Sequence, residues 1–301
     1  MAPTTAAESV VLLTGGTSGI GRAAVRRLAA TGATVVTVGR DRERGRAVAA
    51  DVTAETPGRV EFRRVDLADQ SAVRNLASAV DDEYDRLDAL VHNAGLSSKE
   101  RRETADGVEL TLAVNHLAPY LLTHDLVDLL GATRGARVVV TASSVHRRGK
   151  IDLDDSEDLD ALNSRSGYDA LDAYARSKLA NVAFTLELAE RLRASARTEG
   201  VVANCVHPGF IPTTGLYRDV SWRAKLLTRL AGAVPGVGTD VEEGARRLVA
   251  VTTDDAYADR TGLYVGGDGP EQPSAAARDA ALRERLWRLS AALVGVDPDW
   301  P

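Results

Sequence analysis

The sequence is poor in cysteine, lysine and aromatic residues, and it contains no long apolar run. Its single cysteine, Cys205, cannot form an internal disulfide or supply a thiolate zinc cluster. No apolar stretch approaches the roughly 18–20 residues that span a bilayer, and the segment from Met1 to Ser9 lacks the basic start and apolar run of a signal peptide. These absences lead us to expect a reduced, cytoplasmic protein that has no disulfide framework, no metal site and no membrane partner.

The charge balance is slightly acidic, with 37 Lys+Arg against 43 Asp+Glu and a formal net charge of -6. A protein that binds nucleic acid non-specifically usually carries a clear basic excess, so we expect no nucleic-acid partner. What is present is an ordinary globular composition, 44% hydrophobic and 27% charged over 301 residues, which is enough chain to bury a sizeable core. Only four of the basic residues are lysine, a bias typical of a high-GC bacterial source.

Short β-branched runs alternate with helical patterns along the chain. This alternation predicts an α/β fold in a single domain: a Rossmann-type, doubly wound, seven-stranded and mainly parallel sheet with helices on both faces. The predicted strands are Val10–Leu13, Thr34–Val38, Val60–Val65, Leu87–His92, Arg137–Thr141, Val201–Val206 and Leu263–Val265. The predicted helices include Gly19–Ala30, Ala72–Val80, Gly107–Leu130, Tyr174–Ala196, one that the capping-box pattern Thr239-x-x-Glu242 opens toward Val251, and a closing helix from Ala275 to Leu293.

A glycine-rich loop, Thr14-Gly-Gly-Thr-Ser-Gly-Ile-Gly21, follows the first predicted strand and opens the first helix. Glycine lets the backbone turn tightly and approach a pyrophosphate, which the free N–H groups and the helix dipole stabilise. The spacing Gly-x-x-x-Gly-x-Gly differs from the general dinucleotide fingerprint, and a turn without a ligand is the alternative. The position in the first strand-to-helix turn favours a dinucleotide. The expected binding residues are Gly15, Thr17, Ser18, Gly19, Ile20 and Gly21.

The second predicted strand ends at Val38-Gly39-Arg40. In dinucleotide folds an acidic residue near this point holds the ribose 2′-hydroxyl, whereas an arginine suits a 2′-phosphate. Gly39 offers no carboxylate and Arg40 offers a planar, bidentate cation. The sequence therefore predicts NADP(H) as the cofactor, and we interpret Arg42, Arg44 and Arg46 as a solvated basic stretch.

Tyr174 and Lys178 lie four residues apart in a predicted helix, so both project from one face. An ammonium beside a phenol favours the phenolate and lowers the pKa of a tyrosine. The pair can therefore act as a general acid/base, a role worth roughly 10²–10⁴ in rate. Ser143 and Ser144 follow the fifth strand, where open α/β sheets bind ligands. A serine hydroxyl there can hold a carbonyl oxygen, although ordinary turn chemistry also explains it.

Asn115 lies four residues before Pro119 inside the predicted helix Gly107–Leu130. Proline has no N–H, and its ring clashes with the carbonyl four residues earlier, which predicts a kink at Asn115. The freed carbonyl can hold a water molecule and so extend a proton path. A kinked helix that happens to carry a polar residue is the alternative.

Taken together, these features resemble the short-chain dehydrogenase/reductase family. The matching elements follow the order of the family: Thr14-Gly-x-x-x-Gly-Ile-Gly21, Asp66-Leu67, Asn93-Ala94-Gly95, Asn115, Ser144, Tyr174-x-x-x-Lys178 and Pro208-Gly209. Three further segments are closer to the branch that contains retinol dehydrogenases and protochlorophyllide reductases: Val114 to Thr123 (VNHLAPYLLT), Ser177 to Asn181 (SKLAN) and Arg285 to Ser290 (RLWRLS).

The resemblance implies a role for each matched position. Tyr174 would donate or accept the proton, while Lys178 would assist it and bind the nicotinamide ribose. Ser144 would polarise the substrate carbonyl, and Asn115 would hold a relay water. The remaining cofactor contacts would be Asp66, Leu67, Asn93, Ala94, Gly95, Pro208, Gly209, Ile211 and Thr213. His92 stands where many relatives have asparagine, and its role is left open.

The segment from Phe210 to Val237 is rich in apolar residues and would cover the site as a lid. It favours a hydrophobic substrate, although packing of the lid onto the body explains these residues equally well. The aspartate-rich segment from Ile151 to Asp172 either rims the pocket or faces solvent. Relatives associate through the two long helices, which implies a homodimer or homotetramer.

The predicted function is an NADP(H)-dependent oxidoreductase that interconverts a carbonyl, in a ketone or aldehyde, with an alcohol on a small molecule. The alternatives on the same scaffold are reduction of a C=C bond, a tailoring step in secondary metabolism, and a non-catalytic NADP-binding sensor. The intact set Ser144, Tyr174 and Lys178 argues against the sensor, since a binding module has no need of a tuned phenol.

Overall fold

The computed structural model describes residues 9–152, 162–163, 167–209, 211 and 239–301. In this part of the chain one sheet has the order β3-β2-β1-β4-β5-β6-β7-β8. The strands are β1 Val10–Thr14, β2 Thr34–Gly39, β3 Arg59–Arg64, β4 Ala89–His92, β5 Arg137–Thr141, β6 Val202–Val206, β7 Tyr264–Gly266 and β8 Gly269–Glu271. The predicted strands β1 to β7 are confirmed, all parallel. The count of seven is wrong, because β8 adds a short antiparallel edge strand.

Helices cover both faces of the sheet. They are α1 Gly19–Ala29, α2 Arg42–Glu55, α3 Gln70–Glu83, α4 Leu110–Leu112, α5 Ala118–Asp125, α6 Val127–Ala132, α7 Ala170–Ala194, α8 Val241–Thr253, α9 Ala275–Arg278 and α10 Ala280–Val294. One buried cluster packs α1, α2 and α8 on one face, and a larger cluster packs α3, α5, α7 and α10 on the other. The doubly wound arrangement is therefore confirmed. Of the helices that the structure describes, none combines the length and the apolar character that a membrane crossing needs.

The continuous helix predicted over Gly107–Leu130 is wrong. The segment consists of α4, a π-helical turn at Ala113–Leu117, α5 and α6. Pro119 cannot donate a hydrogen bond to the carbonyl of Asn115, and the amide of Ala118 instead bonds to the carbonyl of Ala113, five residues earlier. Such π turns are frequent at functional sites, and this one contains Asn115.

Two other helix boundaries differ from the prediction because aspartates cap them. Asp240 precedes α8 and accepts the amide of Glu243, so the cap lies one residue later than Thr239. Asp279 separates α9 from α10 and accepts the amides of Ala281 and Leu282. The predicted closing helix is therefore two helices, since an aspartate side chain that caps a helix satisfies the amides of a new first turn.

The direction of strand order reverses between β1 and β4, and ligands of open α/β sheets bind outside the carboxyl ends at such a point. Thr14 joins the two strands there. Its hydroxyl accepts the amides of Asn93 (3.0 Å) and Ala94 (3.1 Å) and donates to the carbonyl of Val91 (3.4 Å). The next residue, Gly15, has φ 78°, and a Cβ there would lie 2.8 Å from the Cα of Ala94. Only glycine allows this close approach.

The C-terminal residues cover α7 with an aromatic cluster. Trp287 on α10 is 2% exposed, and its ring centre lies 5.0 Å from that of Tyr120 and 5.9 Å from that of Phe184. Trp300 donates its indole N–H to the hydroxyl of Tyr120 at 2.9 Å. The guanidinium of Arg191 lies 4.5 Å from the centre of the Trp287 ring. Association of two copies through this face of α7 would displace the chain's own tail; the homodimer or homotetramer stays a prediction.

We expect Trp287→Ala to lower the free energy of unfolding by about 3–5 kcal/mol, because it empties the centre of this cluster. Denaturant unfolding followed by circular dichroism measures the change. The control is Arg288→Ala at the next position, where an exposed ion pair with Glu284 is lost and the expected cost is at most about 1 kcal/mol. Equal losses for the two variants would contradict a core role for Trp287.

Candidate active site

A cavity of about 620 Å³ opens at the carboxyl ends of the strands around the β1/β4 reversal and extends to α7. It brings together nearly all the residues predicted from the sequence. On its wall lie Gly15, Thr17, Ser18, Gly19, Ile20, Gly21, Arg40, Asp66, Leu67, Asn93, Ala94, Gly95, Ser144, Tyr174, Lys178, Pro208, Gly209 and Ile211. Asn115 is buried behind the wall, and Thr213 lies outside the described residues, as does the predicted lid apart from Ile211.

The glycine loop presents backbone donors to this cavity. Gly19 begins α1 with φ 52°, and a Cβ on Gly21 would lie 2.2 Å from the carbonyl oxygen of Gly15. Ser18, the residue before α1, makes no side-chain capping hydrogen bond. The first amides of α1 therefore lack the side-chain acceptor that helices commonly have, and a ligand phosphate can accept from them along the helix dipole.

Two arginines lie at the end of the cavity next to β2. Arg40 is exposed and follows the last residue of β2, as predicted. Arg44 also reaches the wall, on the first turn of α2, where it pairs with Asp41 at 3.3 Å. The interpretation of Arg44 as part of a purely solvated stretch is therefore incomplete. Nearby, one carboxylate oxygen of Asp66 accepts the amide of Ala68 (3.1 Å), which fixes the turn after β3.

Lys178 is a buried cation with few partners. Its side chain is 3% exposed, and its Nζ donates to the carbonyl of Thr141 at 2.8 Å. Within the described residues no carboxylate pairs with it. Burial lowers the pKa of Lys178 to about 8. Two N–H groups remain for a ligand on the cavity wall, and hydroxyl groups such as those of a ribose are suitable acceptors.

Tyr174 lies one helical turn before Lys178 on α7, half-buried in the cavity wall. The Nζ of Lys178 is 5.7 Å from the centre of the Tyr174 ring. Both groups therefore lie on the same side of α7, at the cavity wall. The pairing predicted from the spacing is therefore geometrically in place.

The two adjacent serines after β5 differ in their hydrogen bonds. Ser143 caps the 3-10 turn Ser144–Arg148, because its Oγ accepts the amide of Val145 at 3.3 Å. The hydroxyl of Ser144 forms no hydrogen bond within the described residues and is exposed to the cavity. Ser144 is thus the serine that can bind a ligand oxygen, as the resemblance implies.

Asn115 supports the cavity wall from behind. Its Oδ1 accepts the amide of Leu96 (2.8 Å), and its Nδ2 donates to the carbonyl of Leu96 (2.9 Å) and to the Oγ of Ser177 (3.0 Å). A Cβ on Gly95 would lie 3.4 Å from that Oδ1 and 3.7 Å from the Nζ of Lys178. Since the side chain is fully engaged, the backbone carbonyl is the group of Asn115 left for the relay water, which stays a prediction.

Two residues that the sequence left without a chemical role are structural. His92 is 2% exposed, and its Nε2 lies 2.9 Å from the Oγ1 of Thr123, which ties β4 to α5. Burial lowers the pKa of His92 to about 3, so it is neutral at physiological pH. Cys205 is completely buried in β6, and burial raises the pKa of its thiol to about 12. The interpretation of Cys205 as a core residue is confirmed.

Described parts of the segment from Ile151 to Asp172 pack against the loop after β4, and none of its described residues lies on the cavity wall. The hydroxyl of Tyr168 donates to the carbonyl of Ser98 at 2.9 Å, and Ser98 lies on the cavity wall. Asn163 accepts the amide of Glu109 (2.5 Å) and donates to the carbonyl of Gly107 (3.0 Å). These contacts hold the loop after β4 in place. Residues 153–161 and 164–166 lie outside the described part.

Sequence reasoning missed several residues that build the site. Thr141 supplies the carbonyl that holds Lys178, and Leu96 supplies both groups that hold Asn115. Both act through backbone atoms, so their side chains carry no signal. Thr141 is the last residue of β5, however, and ligands of open α/β sheets bind at the carboxyl ends of the strands. The same rule that indicated Ser144 therefore indicates Thr141.

Comparison with known proteins agrees with this geometry. The family described as short chain dehydrogenase matches residues 9–152. Polyprenol dehydrogenase from Mus musculus is 37% identical over 95% of this chain and 84% of its own length. Retinol dehydrogenase 13 from Homo sapiens is 34% identical over 95% and 85%. The chain belongs to the short-chain dehydrogenase family.

Within the family, the relatives place it in the retinol dehydrogenase branch. A solved short-chain dehydrogenase from Burkholderia cenocepacia, in complex with NADP, has a TM-score of 0.65 and 28% identity over 86% of this chain and 96% of its own. The family and the fold identify an oxidoreductase with a cofactor of the NAD(P) type. The uncapped amides of α1, the glycine cradle and the under-partnered Lys178 fit such a cofactor.

The cost of burying Lys178 can be measured without activity. We expect Lys178→Met to raise the free energy of unfolding at pH 7 by about 2 kcal/mol, because it removes an unpaired buried charge. The pKa of Lys178 falls from 10.5 to about 8 on folding, so the unfolded chain binds more protons between these values. Wild-type stability should therefore rise through that window, and the advantage of the variant should shrink.

Thermal and denaturant unfolding at pH 7 and pH 10, without ligand, give the comparison. Lys150→Met serves as a control at an exposed lysine, where the change should be within about 0.5 kcal/mol. A Lys178→Met variant less stable than wild type at pH 7 would show that the ammonium is better compensated than this geometry indicates.

Proposed function

We propose that this short-chain dehydrogenase interconverts a carbonyl and an alcohol on a hydrophobic small molecule and uses NADP(H). The observation that carries the proposal is the meeting of three groups on one cavity wall: the free hydroxyl of Ser144, Tyr174 and the buried ammonium of Lys178. They face a cradle of backbone amides suited to a dinucleotide. When bound, the nicotinamide supplies or accepts the hydride.

The chain's own groups handle the oxygen and the proton. Ser144 donates a hydrogen bond to the substrate oxygen and so orients and polarises the carbonyl. Tyr174 transfers a proton to that oxygen in reduction and removes it in oxidation. Lys178, whose Nζ lies 5.7 Å from the centre of the Tyr174 ring, assists this proton transfer as a nearby positive charge, and its remaining N–H groups hold ribose hydroxyls. Because the carbonyl of Thr141 fixes the Nζ, this charge is preorganised before the reaction.

Preference for NADP(H) over NAD(H) rests on the two arginines beside β2. β2 ends at Gly39, which offers no carboxylate to a ribose 2′-hydroxyl, and Arg40 follows it. The carboxylate of Asp41 lies on the same wall but accepts the amide of Arg44 and pairs with its guanidinium. Arg44 adds a second guanidinium on the same wall. The NADP in the structure of the Burkholderia cenocepacia relative is consistent with this preference.

The hydrophobic character of the substrate rests on the wall and on the relatives. Leu96, Val145 and Ile211 are apolar residues of the cavity wall. The names of the two relatives, polyprenol dehydrogenase and retinol dehydrogenase 13, refer to long apolar alcohols. We propose a cytoplasmic enzyme that acts on an alcohol or carbonyl of this kind.

Tyr174→Phe should reduce turnover by about 10³-fold, because it removes the acid/base group, while NADPH affinity stays within about twofold. The assay follows NADPH absorbance against apolar ketones and aldehydes, with affinity from NADPH fluorescence. Tyr257→Phe is the control, since Tyr257 is half-buried beside α8 and outside the cavity wall. Undiminished turnover by Tyr174→Phe would refute the assignment.

Arg40→Ala should weaken NADPH binding by roughly 10–100-fold, the value of a charge-assisted hydrogen bond to phosphate, and leave NADH binding nearly unchanged. Arg44→Ala should show the same selectivity with a smaller effect, because Asp41 shares its charge. Arg42→Ala is the control on the same helix and off the cavity wall. If Arg40→Ala weakened NADPH and NADH binding equally, Arg40 would not contact the 2′-phosphate.

A further inference from the structure

Two histidines next to catalytic positions have no part in the reaction described above. His116 follows Asn115 in the π turn, and His146 lies two residues after Ser144 in the 3-10 turn. Both side chains are 0% exposed, and neither lies on the cavity wall. Each makes a hydrogen bond to a serine of residues 274–301, which contain α9 and α10 and are called the C-terminal segment below.

His146 links the Ser144 turn to the start of α9. Its Nδ1 lies 2.7 Å from the carbonyl oxygen of Ser143, and its Nε2 accepts the backbone amide of Ser274 at 3.1 Å. A carbonyl can only accept, so the proton must be on Nδ1 and the lone pair on Nε2. The neutral imidazole is the only form that satisfies both partners, and burial lowers the pKa of His146 in that direction.

His116 links the π turn to the middle of α10. Its Nε2 lies 2.8 Å from the Oγ of Ser290. Ser290 donates its own proton to the carbonyl of Leu286 at 2.7 Å, so its oxygen accepts from His116. Burial lowers the pKa of His116 to about 4, which keeps this ring neutral as well. The neighbouring Asn115 side chain points to Leu96 and Ser177 instead.

Ion pairs and hydrogen bonds connect the C-terminal segment to the body of the protein. Arg283 on α10 pairs with Glu190 on α7 at 2.9 Å, and Arg191 on α7 pairs with Glu284 on α10 at 2.6 Å. At the far end, Arg74 on α3 donates to the carbonyl of Val294 at 2.5 Å. Together with the Trp287 cluster, these contacts fix α10 against α3 and α7.

We propose that His116 and His146 are positioning residues, which fix the Asn115 turn and the Ser144 turn to the C-terminal segment and thereby set the geometry of both groups at the cavity. The proposal rests on the proposed function, because that function assigns roles to Asn115 and Ser144. It explains why the segments VNHLAPYLLT and RLWRLS, which are far apart in the sequence, meet in one hydrogen bond. It also makes α9 and α10 part of the site although no atom of either lines the cavity.

The His146 link can be tested by removing a single N–H group, the backbone amide of Ser274. Its φ of −59° matches that of proline, so Ser274→Pro deletes the amide that His146 accepts and keeps the backbone conformation. Ser274→Ala keeps that amide and loses only the α9 cap, which both variants lose. We expect kcat to fall about tenfold or more in Ser274→Pro and less than twofold in Ser274→Ala. The KM for NADPH should be unchanged in both.

Should Ser274→Pro fail to fold, His146→Asn replaces it, because a shorter amide can still donate to Ser143 but cannot reach Ser274. Rescue of kcat in His146→Gln, whose amide extends as far as Nε2, would support the link. Equal kcat values for Ser274→Pro and Ser274→Ala, or for His146→Asn and wild type, would overturn it.

Ser290→Ala tests the His116 link. Thr252→Ala is the matched control, because Thr252 on α8 also donates to the carbonyl four residues earlier (2.8 Å) and is also buried, but on the opposite face of the sheet. Both variants should lose similar stability. Only Ser290→Ala should lose kcat, by about fivefold. The KM for NADPH should be unchanged in Ser290→Ala, since the effect acts on the backbone carbonyl of Asn115 and not on the cofactor. Equal losses of kcat in Ser290→Ala and in the control would overturn the link.

A spectroscopic readout is independent of turnover. In two-dimensional 1H–15N spectra of the histidine rings at pH 7, without substrate, His146 should show the neutral form with the proton on Nδ1. A protonated ring, or a proton on Nε2, would overturn the proposal even in an active enzyme. If the spectrum is as expected and wild type turns over no carbonyl compound or alcohol, the proposed function fails while the anchoring of the turn stands.

Discussion

The reversal of strand order between β1 and β4, fastened by the hydroxyl of Thr14, is the constraint on which the site depends. Neighbouring parallel strands normally carry their connections over the sheet and leave no gap. Here the chain leaves β1 in one direction and β4 in the other, so a cleft opens where the two connections part. Thr14 accepts two amides from the start of the β4 loop, which holds the edges of the cleft together. The amides of α1, the end of β2 and the wall at Gly95 are all placed relative to that junction.

The site concentrates groups that folding leaves unsatisfied, and the remainder of the molecule offsets their cost. Lys178 is a charge inside the protein with one carbonyl as its hydrogen-bond partner, and the first turn of α1 lacks a side-chain cap. A buried charge without an ion-pair partner destabilises a fold by several kcal/mol, and the loss of a side-chain cap costs a helix about 0.5–2 kcal/mol. The opposing contribution comes from the two apolar faces of the sheet and from Trp287 and Trp300. A protein with few aromatic residues has placed several of them in one cluster directly behind the helix that carries Tyr174 and Lys178.

Local patterns explain what could be predicted, and long-range contacts explain what could not. The glycine loop and the Tyr174–Lys178 pair were predictable because their chemistry lies within eight and five consecutive residues. The π turn was not predictable. Pro119 indicates that the α-helical hydrogen-bond pattern is interrupted, but it does not determine which pattern replaces it. β8 has three residues and no apolar period, so nothing distinguished it from a loop. The wall position of Arg44 depends on how α2 packs against β2. The bond from His116 to Ser290 spans 174 residues, and no local pattern carries it.

The hydrogen bonds that connect the C-terminal segment to the Asn115 and Ser144 turns bear on how the chain acquires its site during synthesis. The elements that build the dinucleotide cradle, β1 to β4 with α1 to α3, lie within the first 92 residues and can form early. The partners of His116, Gln70 and Arg74 are residues 290 to 294, at sequence separations of 174, 223 and 220. These contacts have high contact order and close last. These early elements can therefore form before residues 290 to 294 are synthesised, whereas the Asn115 turn reaches its final position only once those residues are present.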